Sequence, residues 1–166
     1  GAHPIIPNQP GIHSSKVFTA GDSYGRENEL GDTVVVLGGG MVGCETAAHL
    51  ARLGKRVTIV EMRDAVAKDA DCFGGTAIMV DMRKNHVEFL CETAGREITE
   101  EGLVAAQKDG SVKTIPCDSV INAVGYRSDD ALFFQLYDTA PVVQMMGDCR
   151  KPGKVKNASS DGHYIA

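Results

Sequence analysis

The stretch "VVVLGGGMVGCETAAHLARLGKRVTIVEM", Val34 to Met62, sets three consecutive glycines between a β-branched run and a helical pattern. Glu61 closes a second β-branched run. "TVVVL", from Thr33, shows no polar alternation, as expected of a strand buried on both faces of a parallel sheet. The following "MVGCETAAHLARLG" places apolar residues at Val42, Ala47, Leu50 and Leu53, and Gly54 supplies a helix stop. "RVTIVEM" reads as a second buried strand, so the stretch is a βαβ unit.

Within GGGMVG, residues Gly38, Gly39, Gly40, Met41, Val42 and Gly43 form a glycine-rich turn from strand into helix. Gly38 permits the tight turn, Gly40 lets backbone approach a pyrophosphate, and Gly43 lets helix and strand pack closely. The helix N-terminus then offers amide donors and partial positive charge to an anion. The same glycines alone would also fit a structural turn. Glu61 supplies the context, because it ends the next strand about 20 residues on, where a dinucleotide site needs a ribose acceptor. An acidic residue there favours NAD(H) over NADP(H). Arg63 argues the other way, since a guanidinium can hold a 2′-phosphate; otherwise it is a solvated surface charge. The expectation is NAD(H), with NADP(H) second. The same fingerprint also serves FAD, so the glycines alone do not choose the nucleotide.

The 166-residue chain carries a net charge of −5, which gives no footing for nucleic acid or an anionic membrane. It has no apolar run near the roughly 20 residues of a membrane span. The five cysteines have no CxxC pair, so reduced, mostly packed thiols in a cytoplasmic protein are expected. The histidines show no metal-ligand spacing. Residues 1–30, with Pro4, Pro7 and Pro10, read as loop. A second helix is expected over 72–85. The four short runs "HVEFLC", "GREITEEG", "LVAAQKDG" and "VKTIPC" suggest an antiparallel meander of about three strands with one wet face. "DSVINAVG" reads as a buried strand, 130–137 as a short helix, "PVVQMMGDC" as a strand and "NASSDGHYIA" as the start of a helix.

Four landmarks then occur in order. "GAHPIIPNQPGI", the βαβ stretch, "DSVINAVGYRSDD" and "MMGDCRKPGKVKNASSDGHYIA" together resemble the NAD(P)H-binding domain of FAD-dependent pyridine nucleotide–disulfide oxidoreductases. The likeness is nearest to the C-terminal half of old-yellow-enzyme-like NADH:flavin oxidoreductases, the group that includes 2,4-dienoyl-CoA reductase. The resemblance implies an α/β, Rossmann-like three-layer fold with a parallel sheet and an antiparallel β-meander. It implies a crossover segment from a missing FAD domain at 1–30, the NAD(H)-binding domain at 31–128 and a return segment at 129–166.

Site roles follow from the same resemblance. Glu45 matches an acidic position near the nicotinamide, or is a first-turn glutamate that complements the helix dipole. Gly125 matches a glycine that lets backbone approach the dinucleotide, or is a strand-end turn. Asp148 matches the aspartate that holds the FAD ribityl chain. No residue is expected to be catalytic, and Cys44 is expected to be packing rather than a nucleophile.

The implied function is a fragment of an oxidoreductase that passes hydride from NAD(P)H to FAD. The implied partners are the missing FAD domain, an FMN and iron–sulfur barrel domain of the parent and, for the chain alone, a second copy of itself. The isolated chain is expected to be inactive. The competing readings are a stand-alone NAD-binding redox sensor and a small dehydrogenase, for which no Tyr-x-x-x-Lys pair is present.

Overall fold

A computed structural model describes residues 1–165, the side chain of Cys72 excepted. In chain order the first elements are β1 (Ala2–Pro4), β2 (Val17–Thr19), α1 (Ala20–Ser23), β3 (Thr33–Leu37), α2 (Met41–Arg52) and β4 (Arg56–Val60). Next come α3 (Cys72–Lys84), β5 (Glu88–Leu90), β6 (Thr93–Ile98), β7 (Gly102–Gln107), β8 (Val112–Pro116) and β9 (Ser119–Asn122). The chain closes with β10 (Tyr126–Ser128), α4 (Ala131–Leu136) and α5 (Val155–Ile165). They form two compact units, one spanning Ile6–Gly125 and one joining Gly1–Ile5 to the chain from Tyr126 onward.

The larger unit is built on the β-branched runs. β3, β4 and β9 pair in parallel at its centre, giving a five-stranded sheet of order β2-β9-β3-β4-β5. Side chains alternate across this sheet. Val34, Val36, Val57, Ile59 and Ile121 pack with Cys44, Ala47, Ala48 and Leu50 of α2 and Met82 of α3. The opposite face offers Val35, Leu37, Val60 and Val120, which pack with Ile98, Leu103, Ala105 and Ile115 of the meander. Helices, parallel sheet and antiparallel sheet are therefore three layers around two apolar clusters, the Rossmann-like arrangement expected. The meander is β6-β7-β8, and Gly110, at φ +86°, forms its second turn.

Four expectations about local structure need correction. Residues 1–30 are not all loop: β2 pairs with β9, and Ile12, Phe18, Ala20 and Leu30 are core residues. "HVEFLC" does not join the meander, because its strand β5 pairs in parallel with β4 at the sheet edge. "PVVQMMGDC" forms no strand; it runs irregularly into a single 3-10 turn at Gly147–Cys149. The buried stripe of α2 keeps Ala47 and Leu50 but differs elsewhere. Val42 and Leu53 are exposed, while Gly43, Cys44, Ala47, Ala48 and Ala51 face the sheet. Small residues let this helix lie close to the strands, and bulkier ones would hold it away.

In the smaller unit β1 pairs antiparallel with β10, and His3 bonds Asp129 at 3.0 Å. Asp161 accepts from the Gly147 amide at 3.0 Å and from Arg150 at 2.6 Å, which fixes the 3-10 turn against α5. Neither α4 nor α5 has a buried residue. Among the described residues, no helix is long and apolar enough to cross a membrane.

Candidate functional site

The order in which strands are added reverses across the sheet at β3. The path from β3 through α2, β4 and α3 to β5 runs one way, while β9 lies on the other side of β3. Such a switch point opens a crevice beyond the C-terminal ends of its strands. Gly38–Gly43 follow the end of β3, Glu61 and Arg63 follow β4, and Gly125 follows β9. The topology thus brings every one of these candidates to one end of one unit. Asp148 belongs to the other unit, on its exposed 3-10 turn, where it accepts from the Gly153 amide at 3.1 Å.

The glycines differ in what they are needed for. Gly38 has φ +107°, and a Cβ there would sit 2.5 Å from the Ala123 carbonyl oxygen. At Gly43 a Cβ would meet the Gly38 carbonyl oxygen at 2.0 Å. These two positions are closed to side chains by the protein's own packing. Gly40 is not: the nearest atom to an added Cβ is an Asp69 carboxylate oxygen at 3.5 Å, an ordinary contact. Gly40 caps α2 through its backbone, its carbonyl accepting from the Cys44 amide at 2.9 Å, and it brings no capping side chain. The first amides of the helix consequently face the crevice with no partner inside the helix. That arrangement can hold an anionic oxygen.

Glu61 is buried, only 7% exposed, and both of its carboxylate oxygens accept hydrogen bonds. One oxygen accepts from the Gly39 amide at 2.7 Å, the other from the Arg63 amide at 2.8 Å and its Nε at 3.1 Å. Burial pushes the carboxyl pKa up, but the Arg63 and Gly39 donors outweigh it, and the net shift is downward. The Glu61 carboxylate raises the Arg63 guanidinium in turn. Glu61 is therefore an ionised acceptor fixed between the glycine loop and Arg63, whose own side chain is 43% exposed.

Glu45 is exposed and lies one turn into α2, whose first turn holds no acidic residue. That corrects its reading as a first-turn glutamate. Met41 is half-buried, Val42 is exposed, and Gly125 has φ +122°. Cys44 is buried with its Sγ donating to the Gly39 carbonyl at 3.4 Å. Burial first, then the nearby carboxylates, push its thiol to about 11. A thiol so protonated is packing, as expected of it. Among the described residues no cluster of three metal-ligating side chains occurs.

Sequence reading missed the loop that follows Glu61. The Ala67 amide donates to the Gly39 carbonyl at 2.7 Å, and the Asp69 carboxylate accepts from the Met41 amide at 3.2 Å. Val66 lies over Gly39, with its Cγ1 2.7 Å from where a Cβ would stand. "RDAVAKDAD" has no periodicity that would reveal these contacts. Asp71 was missed as well, although an aspartate just before an expected helix is a capping signal; it accepts from the Gly74 amide at 2.6 Å.

Comparison with known proteins agrees with this architecture. Residues 1–162 match the family model described as pyridine nucleotide-disulphide oxidoreductase. Bilirubin reductase of Mediterraneibacter gnavus is 34% identical over 166 residues, covering 100% of this chain and 26% of that protein. NADH oxidase of Thermoanaerobacter brockii is 33% identical over 175 residues, covering 100% of this chain and 26% of that protein. A solved 2-naphthoyl-CoA reductase complex superposes with a TM-score of 0.91 at 30% identity, covering 99% of this chain and 25% of the other. The chain spans about a quarter of the length of these relatives. The chain belongs to the pyridine nucleotide-disulphide oxidoreductase family, and it is similar to reductases and NADH oxidases within it.

Proposed function

We propose that the chain is the NAD(P)H-binding domain of an FAD-dependent oxidoreductase, and that NAD(H) is its preferred nucleotide. The observation that carries the reading is the bond between the buried Glu61 carboxylate and the Gly39 amide. It holds a ribose acceptor against a glycine turn whose helix amides can take a pyrophosphate. Gly38 and Gly43 supply the shape, Gly40 leaves the space open, and Gly125 ends the neighbouring strand. Met41 and Val42 would present the first amides of the helix to the pyrophosphate, and Glu45 would accept from the nicotinamide carboxamide. Arg63, paired to Glu61, has its charge directed at that carboxylate, which favours NAD(H) over a 2′-phosphate.

In the parent protein, hydride would pass from NAD(P)H to FAD, chemistry that belongs to the cofactors. The FAD-binding part would lie outside this sequence, with residues 1–5 and 129–166 as the crossings to and from it, since Ile6 to Leu30 belong to the larger unit. Among the candidates, Asp148 alone points to FAD, and a bond to the Gly153 amide already uses one of its oxygens. It does not make an FAD site. Apolar residues left exposed on and beside α4 and α5, such as Leu132, Phe134, Tyr137 and Val155, suit a covering domain, or self-association of the chain alone. A barrel domain with FMN and an iron–sulfur cluster completes the proposed parent.

Titration of the 166-residue chain with NADH and NADPH tests the reading. NADH is expected to bind more tightly, and Gly40→Val is expected to abolish binding, while Gly40→Ala, whose Cβ meets only ordinary contacts, is expected to leave the fold intact. The chain alone is expected to oxidise no NADH without a flavin partner. Absence of nucleotide binding would overturn the proposal, and NADH oxidation by the chain alone would favour a small dehydrogenase. Binding of NADH without any activity, even with the flavin domain restored, would favour the sensor.

A further inference from the structure

The strap from Val66 to Asp69 occupies the place that the dinucleotide reading reserves for a ligand. Asp69 sits beside Gly40, its two carboxylate oxygens 3.5 and 3.6 Å from where a Cβ would stand. Its Oδ2 accepts from the Met41 amide, the first residue of α2. Ala67 bonds the Gly39 carbonyl at 2.7 Å and holds a φ of +55°, which an alanine adopts only under outside constraint. Val66 closes over Gly39. An aspartate near a helix N-terminus is ordinarily a cap. Here it comes from a different segment, 28 residues along the chain, and it covers the one glycine of the loop at which an added Cβ would meet only ordinary contacts.

We propose that this strap is an autoinhibitory contact: Asp69 stands in for the pyrophosphate on the α2 amides, and nucleotide binding requires the strap to lift. The inference rests on the reading of the glycine loop as a dinucleotide site. Its physical content is an anion–anion conflict, since the carboxylate and a phosphate oxygen cannot both accept from the Met41 amide. Charge remaining close by would repel the incoming diphosphate. The affinity for NADH is then lower than the glycine loop alone would give, by the cost of displacing the strap.

The test is calorimetric titration of the full chain and of Asp69→Asn with NADH and with adenosine. Asparagine keeps the shape of the side chain and removes its charge, and Asp69 is exposed, so the variant folds. Asp69→Asn is expected to bind NADH roughly fivefold to tenfold more tightly, from the lost repulsion and the weakened helix-end contact. The gain should shrink in about 1 M salt, where the Debye length is about 3 Å. Adenosine, which carries no phosphate, should bind both proteins equally. Exchange of the Ala67 amide should accelerate when wild-type protein is saturated with NADH.

A gain below twofold overturns the strap and leaves the dinucleotide reading standing. An equal gain for adenosine also overturns it, because that marks general loosening. An Ala67 amide still protected in the complex overturns it as well. NADH bound by neither protein overturns both the strap and the reading it rests on.

Discussion

Replacing Glu61 should damage stability and nucleotide binding together, and two substitutions separate the contributions. Glu61→Ala removes a buried ionised acceptor that takes the Gly39 amide, the Arg63 amide and the Arg63 Nε. Gly39 is buried, so its amide would lose its partner without access to water. That desolvated donor alone costs about 1–3 kcal/mol. Arg63 is half-exposed and recovers most of its solvation, so its share is small. The sum is about 1–4 kcal/mol, a large part of a typical total stability of about 5–15 kcal/mol. Glu61→Gln keeps one carbonyl acceptor but turns an amide group toward the other donors, and should cost about 1–2 kcal/mol. Urea unfolding followed by far-ultraviolet circular dichroism gives both values. The sign with pH follows from the lowered carboxyl: Glu61 stabilises fully above its ordinary value of 4.5, and this is lost as pH falls through the folded value. The Ala variant should therefore approach wild type in acid. A loss below about 0.5 kcal/mol, the range of surface substitutions, would refute the account of Glu61 as a fixed, buried acceptor.

Other outcomes follow from the same geometry. Gly43→Ala should destabilise by about 1–3 kcal/mol, because its Cβ would lie 2.0 Å from a carbonyl oxygen; an unchanged urea midpoint would contradict this. Cys44, with its thiol at about 11, should resist aromatic disulfide reagents at pH 8 until the chain unfolds, and rapid labelling of the native protein would contradict that. Glu27 accepts from His49 at 2.8 Å, which lowers its carboxyl to about 2. Its stabilising effect should be complete above about 4.5 and fade as pH falls toward 2, and His49→Ala should flatten that part of the stability–pH curve.

The βαβ unit was legible because two signals coincided there, with continuous β-branched runs and glycines at fixed offsets pointing to the same fold. β2 was hidden for a physical reason. Its three residues lie among prolines and glycines, and they become a strand through pairing with β9. "PVVQMMGDC" shows the converse: β-branched residues without a partner strand make no strand, because β-propensity is largely a property of the surroundings. The helical stripe held at Ala47 and Leu50, both fully buried, and failed at Val42 and Leu53, because close packing of α2 on the sheet also selected glycine, cysteine and alanine. At the site, Glu61 was legible as an acceptor through its spacing, but its bond to Gly39 and its pairing with Arg63 depend on side-chain placement. Asp69 was illegible because an irregular loop carries no period, and only the folded chain returns it to Met41.

The position of β9 in the sheet also governs when this unit can fold. β9 lies between β2 and β3, and its register joins Val120 to Val17 on one side and to Val35 on the other. The sheet is thus completed by a strand that follows β3 by more than 80 residues. Closing a loop of that length costs entropy before its contacts repay it, so assembly should be slow compared with a local hairpin. During synthesis β3, β4 and their helices can associate early, but Val35 and Val36 keep one strand edge open until Asn122 has left the ribosome. A nascent chain halted before Ser119 would expose that edge, a ready template for pairing with another chain.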